Sequence, residues 1–208
     1  AFAPFSEPII FMFFGGFVLA AVMNIQKLDL WIANHIIRLA RGNLKLTVLY
    51  LFAATAGLSL FINNTAVAAM MLPLKKVDLK TNRALYVFVL LGVAFSASIG
   101  GIGTLTGSAP NAILASQLKI TFSEWLFYGT PVAILLMIGM VFSLFIVLRP
   151  NFNVPFEISL EGIPLTSKRK ITLAVFVIAA FFLIFGSWLE PFIRSVLELS
   201  QPIKNFDA

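Results

Sequence analysis

Lys45-Leu-Thr-Val-Leu-Tyr-Leu-Phe-Ala-Ala-Thr-Ala-Gly-Leu-Ser59-Leu-Phe-Ile-Asn63-Asn64-Thr65-Ala-Val-Ala-Ala-Met-Met-Leu-Pro73-Leu74-Lys75-Lys76 decides how this chain is threaded. The stretch from Leu46 to Leu74 is apolar and has lysines at both ends. Asn63-Asn64-Thr65 interrupts it near its midpoint. Three side chains that need hydrogen bonds stand where hydrocarbon supplies none, so each must face protein, trapped water or a ligand. A polar stitch between helices, worth about 0.6 to 2 kcal/mol in a bilayer, is the plainer account of one such residue. It does not call for three in a row.

The rest of the chain is as apolar as this stretch. Of 208 residues, 60% are hydrophobic and 12% charged, and the mean hydropathy is +0.97. A soluble domain carries roughly 25% charged residues, so the composition indicates an integral, multi-pass membrane protein of a plasma or inner membrane. There is no cysteine, hence no thiolate metal site or disulfide to argue. The net charge of +6 reads as basic loops at the cytoplasmic face. The basic residues flank apolar runs and form no single solvated patch, so a nucleic-acid partner is not expected. The first residue is Ala1, and no signal-peptide pattern precedes the first apolar run, so a piece of a longer protein is expected.

Five apolar blocks emerge against the roughly 20 residues that a helix needs to cross a bilayer. Spans are predicted at 8–23, 126–148 and 171–189. The blocks at 46–74 and 84–118 are long and broken at the middle. In the second of these, Ser96 to Asn111 carries Gly100, Gly101, Gly103, Gly107 and Pro110, which regular helix does not accommodate. Half-helices are expected at 84–95 and 111–118. Non-helical backbone survives at that depth only inside protein or beside a wet cavity, and paired broken segments point to a transporter's binding site. Between the first two blocks, residues 27–41 place Leu28, Trp31, Ile32, Ile36 and Leu39 at helical spacing, with Asp29, His35, Arg38 and Arg41 largely off that stripe. A helix lying along the membrane surface is predicted there. Residues 149–170 form a polar linker, and 171–208 a further helix and an extracytoplasmic tail.

Charge selects the threading of 46–74. If the block enters and returns on one side, that face collects Lys27, Arg38, Arg41, Lys45, Lys75, Lys76, Lys80, Arg83, Arg149, Lys168, Arg169 and Lys170. The other face keeps Lys119, Arg194 and Lys204. If it crosses, the loops beyond it change sides and the bias that orients membrane proteins vanishes. A re-entrant helical hairpin is therefore predicted, with both flanks and the 149–170 linker cytoplasmic. Its tip, Asn63 to Thr65, lies near the midplane and offers half-helix amides to an anion and unpaired carbonyls to a cation. Block 84–118 is expected to be a broken span.

No Asp, Glu, His, Lys or Arg occurs inside the five blocks. A proton relay needs such a group, and an intramembrane enzyme needs a nucleophile with a base or a pair of carboxylates, so the chain is not read as an enzyme. Hydroxyls, amides and main-chain carbonyls suit a hard monovalent cation. Sodium as the coupling ion is expected, with no other cofactor.

Ser59-Leu-Phe-Ile-Asn63-Asn64-Thr65, followed by Ser98-Ile-Gly100-Gly101-Ile-Gly-Thr104-Leu-Thr106-Gly107-Ser108-Ala-Pro110-Asn111-Ala, resembles the divalent anion:sodium symporter family of dicarboxylate, citrate and sulfate carriers. The likeness runs over roughly 4–148. It implies two inverted repeats, each with a hairpin and a broken helix, working as a homodimer. This chain is then the N-terminal repeat (1–148) plus the first helix of the next, and its C-terminal half is missing. By position, the resemblance gives Asn64 and Thr65 to a substrate carboxylate, with Thr106 and Ser108 close by. It gives Ser59, Asn63, Asn64 and Gly107 to a sodium ion; at Asn63 the family pattern has Ser. The expected activity is sodium-coupled transport of a dicarboxylate, citrate (a tricarboxylate) or sulfate by alternating access. A sodium-independent exchanger or a channel-like permease is the alternative.

Overall fold

The computed structural model of the chain describes residues 8–41, 43–62, 64–70, 82–153 and 164–196. Every element among them is a helix: α1 (Pro8–Ile25), α2 (Leu28–Leu39), α3 (Leu44–Ser59), α4 (Asn64–Met70), α5 (Arg83–Ile102), α6 (Ala109–Leu118), α7 (Phe122–Leu148) and α8 (Ser167–Val196). Among the described residues, Arg83–Ile102, Phe122–Leu148 and Ser167–Gly186 are long and apolar enough to cross a membrane. Residue 63, residues 71–81 with the end of the predicted hairpin, most of the linker (154–163) and the tail beyond Val196 lie outside the described residues.

Local chemistry sets the starts. Asn43 accepts a hydrogen bond from Leu46 N at 3.2 Å and opens α3, and Asn82 does the same for Leu85 N at 3.4 Å at α5. Thr121 and Glu124 form a reciprocal capping box that opens α7. Four ends are unusual. Lys27 (φ 54°), Arg41 (50°), Lys119 (55°) and Arg149 (45°) close α1, α2, α6 and α7 in left-handed backbone. Glycine is the residue that takes this conformation freely, and a side chain there costs roughly 1–2 kcal/mol. A cation at a helix C-terminus offsets about 0.3–1 kcal/mol of this.

Helices α3 and α5 run parallel, with Phe52 against Gly92 and Ala56 against Gly100. A Cβ at Gly92 would fall 2.0 Å from Phe52 Cζ, so glycine is what lets the buried Phe52 ring into the core. Around it pack Val48, Leu51, Phe88, Val89 and Val93. Helix α4 lies on α5, α2 lies against α1 and α3, and α8 packs on α7 and α1. Half of the apolar window of α5 is buried, against 11% for α7 and for α8, which places α5 inside the bundle and the other two at its periphery.

Several boundaries differ from expectation. Helix α5 continues to Ile102 instead of stopping at Phe95, because Ser96 to Gly101 stay helical and use their small size for contact with α3 and α4. The break is therefore shorter, 103–108. Helix α7 begins at Phe122, so Glu124 lies within a helix, exposed in its first turn. Helix α8 runs on through Pro191 to Val196 and takes in Glu190 and Arg194. Helices α7 and α8 thus extend beyond the ionisable-free blocks at 126–148 and 171–189.

Candidate functional site at the junction of two interrupted helices

Chain breaks at two places and the breaks meet. The turn from Leu60 to Ile62 joins α3 to α4, and residues 103–108 join α5 to α6. Each leaves carbonyls without a helical partner. Leu60 O accepts from Thr106 Oγ1 at 3.0 Å and also from Thr104 Oγ1. Thr104 Oγ1 in turn accepts from Gly107 N at 3.1 Å. Asn111, in the first turn of α6, places Nδ2 2.9 Å from both Gly101 O and Thr104 O, with Ile102 O at 3.4 Å. Trp125 Nε1 donates to Ile102 O at 3.0 Å. Side-chain donors have replaced the main-chain ladder almost bond for bond.

Asn64 stands at the centre of the junction. Its amide has two orientations, and with Oδ1 toward α5 it would set oxygen against oxygen. With Nδ2 there, it donates to Gly107 O at 3.0 Å, to Ala97 O at 3.0 Å and to Ser59 Oγ at 2.6 Å. Ser59 Oγ donates onward to Ala97 O at 2.6 Å, and Ser59 is fully buried. The close approach needs glycine on both sides. A Cβ at Gly101 would lie 2.3 Å from the Asn64 amide, and one at Gly107 would lie 2.6 Å from Gly101 O and 2.7 Å from Ser59 O.

Of the residues singled out in the sequence, Ser59 and Gly107 are thus each brought within hydrogen-bonding distance of Asn64. Thr106 is buried and turned to Leu60 O. Ser108 is half-buried at the N-cap of α6, with no side-chain capping bond. Thr65 is exposed, on the turn of α4 that follows Asn64. Asn63 lies outside the described residues. The sequence by itself assigns no role to Asn111, Thr104 or Trp125. The usable signal was the run of carbonyls that a Gly-rich break must orphan, with an Asn immediately after Pro110 to receive them.

The junction sits against the first three turns of α7, where a Cβ at Gly129 would meet Ile102 O at 2.9 Å and Gly103 O at 3.2 Å. Beside it an apolar groove of about 650 Å³ runs between α3 and α7, from Gly100 and Thr130 along Ala56, Met137 and Phe145. Among the described residues the groove is lined by apolar side chains apart from Thr130, whereas the junction gathers hydroxyls, amides and main-chain carbonyls. Among the described residues no group of three His, Cys, Asp or Glu is placed to hold a metal ion. The oxygen donors at the junction are hydroxyls, amides and main-chain carbonyls.

Comparison with known proteins assigns the lineage. The model of the citrate transporter family matches residues 1–198. The chain belongs to this family. As a citrate-transporter-family chain with three membrane-length apolar helices, it is an integral membrane protein of a transporter lineage. It is 49% identical over its whole length to an uncharacterized transporter of Haemophilus influenzae, covering 46% of that protein. It is 36% identical, over 79% of its length and 38% of the relative, to an uncharacterized transporter of Methanocaldococcus jannaschii. Over 64% of its length it is 32% identical to the sodium-dependent dicarboxylate transporter SdcS of Staphylococcus aureus, of which it covers 29%. The chain spans less than half the length of these curated relatives. They are named as transporters, in line with the expectation that the chain is not an enzyme.

Proposed function

We propose that the chain is the N-terminal half of a sodium-coupled secondary carrier for a small divalent anion, a C4-dicarboxylate or citrate, working by alternating access. The observation that carries this reading is the convergence of Ser59, Ala97 and Gly107 oxygens on the Asn64 amide, where the two interrupted helices meet. The dicarboxylate named for the Staphylococcus aureus relative supports the substrate class.

Sodium is a cosubstrate in this scheme. A hard cation takes oxygen ligands, and the oxygens gathered around Asn64 Nδ2 are of that kind. A sodium ion entering among them takes over the role of the amide protons, and a half-turn of the amide then presents Oδ1 to the ion. Asn63, Ser59 and Gly107 complete the ion site. Binding of the ion fixes the tip, and Asn64, Thr65, Thr106 and Ser108 then hold the anion's carboxylates with neutral donors. α3 and α4 form a hairpin that re-enters on one side, and the missing half supplies a second, inverted repeat with the remainder of the pocket. The complete protein forms a dimer, and the hairpin flanks and the linker face the cytoplasm.

The test is uptake of succinate and citrate by the full-length protein in vesicles, with and without an inward sodium gradient. Accumulation that depends on the gradient is expected. Asn64→Ala should abolish most of it while the protein remains folded, and undiminished uptake removes Asn64 from the site. Accumulation independent of sodium indicates exchange, and leakage that only runs downhill indicates a channel.

A further inference from the structure

We infer that one end of the helix bundle, formed by the α1–α2 corner, the starts of α3, α5 and α8 and the end of α7, is a binding surface for anionic phospholipid headgroups. Two long-range hydrogen bonds hold these segments together. Arg169 Nε donates to Gln26 O at 2.7 Å, joining the start of α8 to the α1–α2 corner. Asn82 Nδ2 donates to Asn151 O at 2.9 Å, joining the start of α5 to the end of α7. Parallel packing of α3 on α5 brings the start of α3 to the same end.

Two sets of exposed cations gather there. Lys27, Arg41 and Arg149 occupy the left-handed helix ends, where glycine would remove the backbone strain. Lys45, Arg83 and Lys168 lie in the first turns of α3, α5 and α8, where the helix dipole opposes a positive charge. Dipole complementarity accounts for Arg41 and Arg149, but not for Lys27, which is also the N-cap of α2, nor for the second set. What the two sets share is their end of the bundle, where Asp29 is the one acidic position among the described residues. A layer of negative charge outside the protein compensates both.

The neighbours of these cations identify the layer. Next to Arg149, Ile146 is 51% and Val147 76% exposed, and beyond Lys170 at the start of α8, Ile171 is 64% exposed. The partner therefore offers hydrocarbon within one to three residues of its negative charge. A phospholipid does so and a free inorganic anion does not. Helix α2 fits the same boundary, burying Leu28 and Ile36 while Lys27, His35 and Arg38 stay exposed.

The experiment is thermal unfolding of the full-length protein in neutral detergent, titrated with phosphatidylglycerol, phosphatidylcholine or inorganic phosphate. Phosphatidylglycerol should raise the melting temperature, by mass action on the folded state, well beyond the other two, and added salt should shrink the difference. A Lys27→Gly/Arg41→Gly/Arg149→Gly protein sheds strain along with charge, so it should fold at least as well in detergent and lose most of the phosphatidylglycerol-specific shift. Lys119→Gly gives the same relief at the opposite end and should keep the shift. A second variant, Lys45→Gln/Lys168→Gln, alters no left-handed residue and should also lose part of it. Equal shifts from phosphatidylcholine or phosphate, or an undiminished shift in both charge-depleted variants, would overturn the assignment.

Discussion

Helix α5 stops at Ile102 and the chain resumes as α6 at Ala109, whereas α7 runs from Phe122 to Leu148 straight across Pro131. Proline in mid-helix removes one donor and crowds one carbonyl, and at Pro131 the helix absorbs this. At 103–108 an entire turn of ladder is lost, and it can be lost because donors stand ready: Asn111 for Gly101 O and Thr104 O, Trp125 for Ile102 O, Thr104 and Thr106 for Leu60 O. A helix breaker in an apolar span makes a site only where polar side chains from other turns replace the ladder.

The sharpest way to break that contrast is to withdraw the donors. Asn111→Leu leaves two close carbonyls unsatisfied, each costing about 1–3 kcal/mol when buried. Loss of most folded protein, read by fluorescence size-exclusion in detergent, is expected. Gly107→Ala comes next. Its Cβ would meet Gly101 and Ser59 main-chain atoms at 2.6–2.7 Å, and overpacking of this kind costs about 1–3 kcal/mol. The folded yield should fall less than for Asn111→Leu, but sodium-driven uptake should be lost, because the two breaks no longer fit together. The smallest effect belongs to Pro131→Ala. One restored main-chain bond is worth about 0.5–1.5 kcal/mol, so the melting temperature should rise slightly with uptake unchanged. A Pro131→Ala protein that lost uptake would show that α7, too, is broken for function.

Much of this architecture was legible from residue type alone. Apolar block length located α1, α3, α5, α7 and α8, and the stripe Leu28, Trp31, Ile32, Ile36 and Leu39 located α2. An interruption near Asn63 to Thr65 is legible, although the turn falls at Leu60 to Ile62 and Asn64 and Thr65 already belong to α4; the Gly-rich run before Pro110 is legible as a break because it has no regular apolar solution. The partners were not legible. Ser96 to Gly101 reads as broken backbone from its composition, yet Gly100 and Gly101 are helical and serve as contact surfaces for Ala56 and Asn64. Glycine costs a helix only about 1 kcal/mol, and tertiary packing recovers that. The role of Trp125 depends on α7 returning beside α5, a relation between residues 23 apart that spacing does not encode. The expected position of the tip near the midplane rested on block length. The junction is level with Trp125 to Thr130, at most eight residues or about 12 Å from the start of α7.

The proposed hairpin requires that α3 and α4 enter and leave on one side of the membrane. The chain has no cysteine, so single cysteines placed at Lys45 and Lys76 in a cysteine-free full-length protein give a clean readout. Labelling with a membrane-impermeant maleimide in oriented vesicles should modify both positions from the same face. Modification of the two from opposite faces would contradict the account, since the stretch would then cross the bilayer and its amide tip would not be the turn of a hairpin.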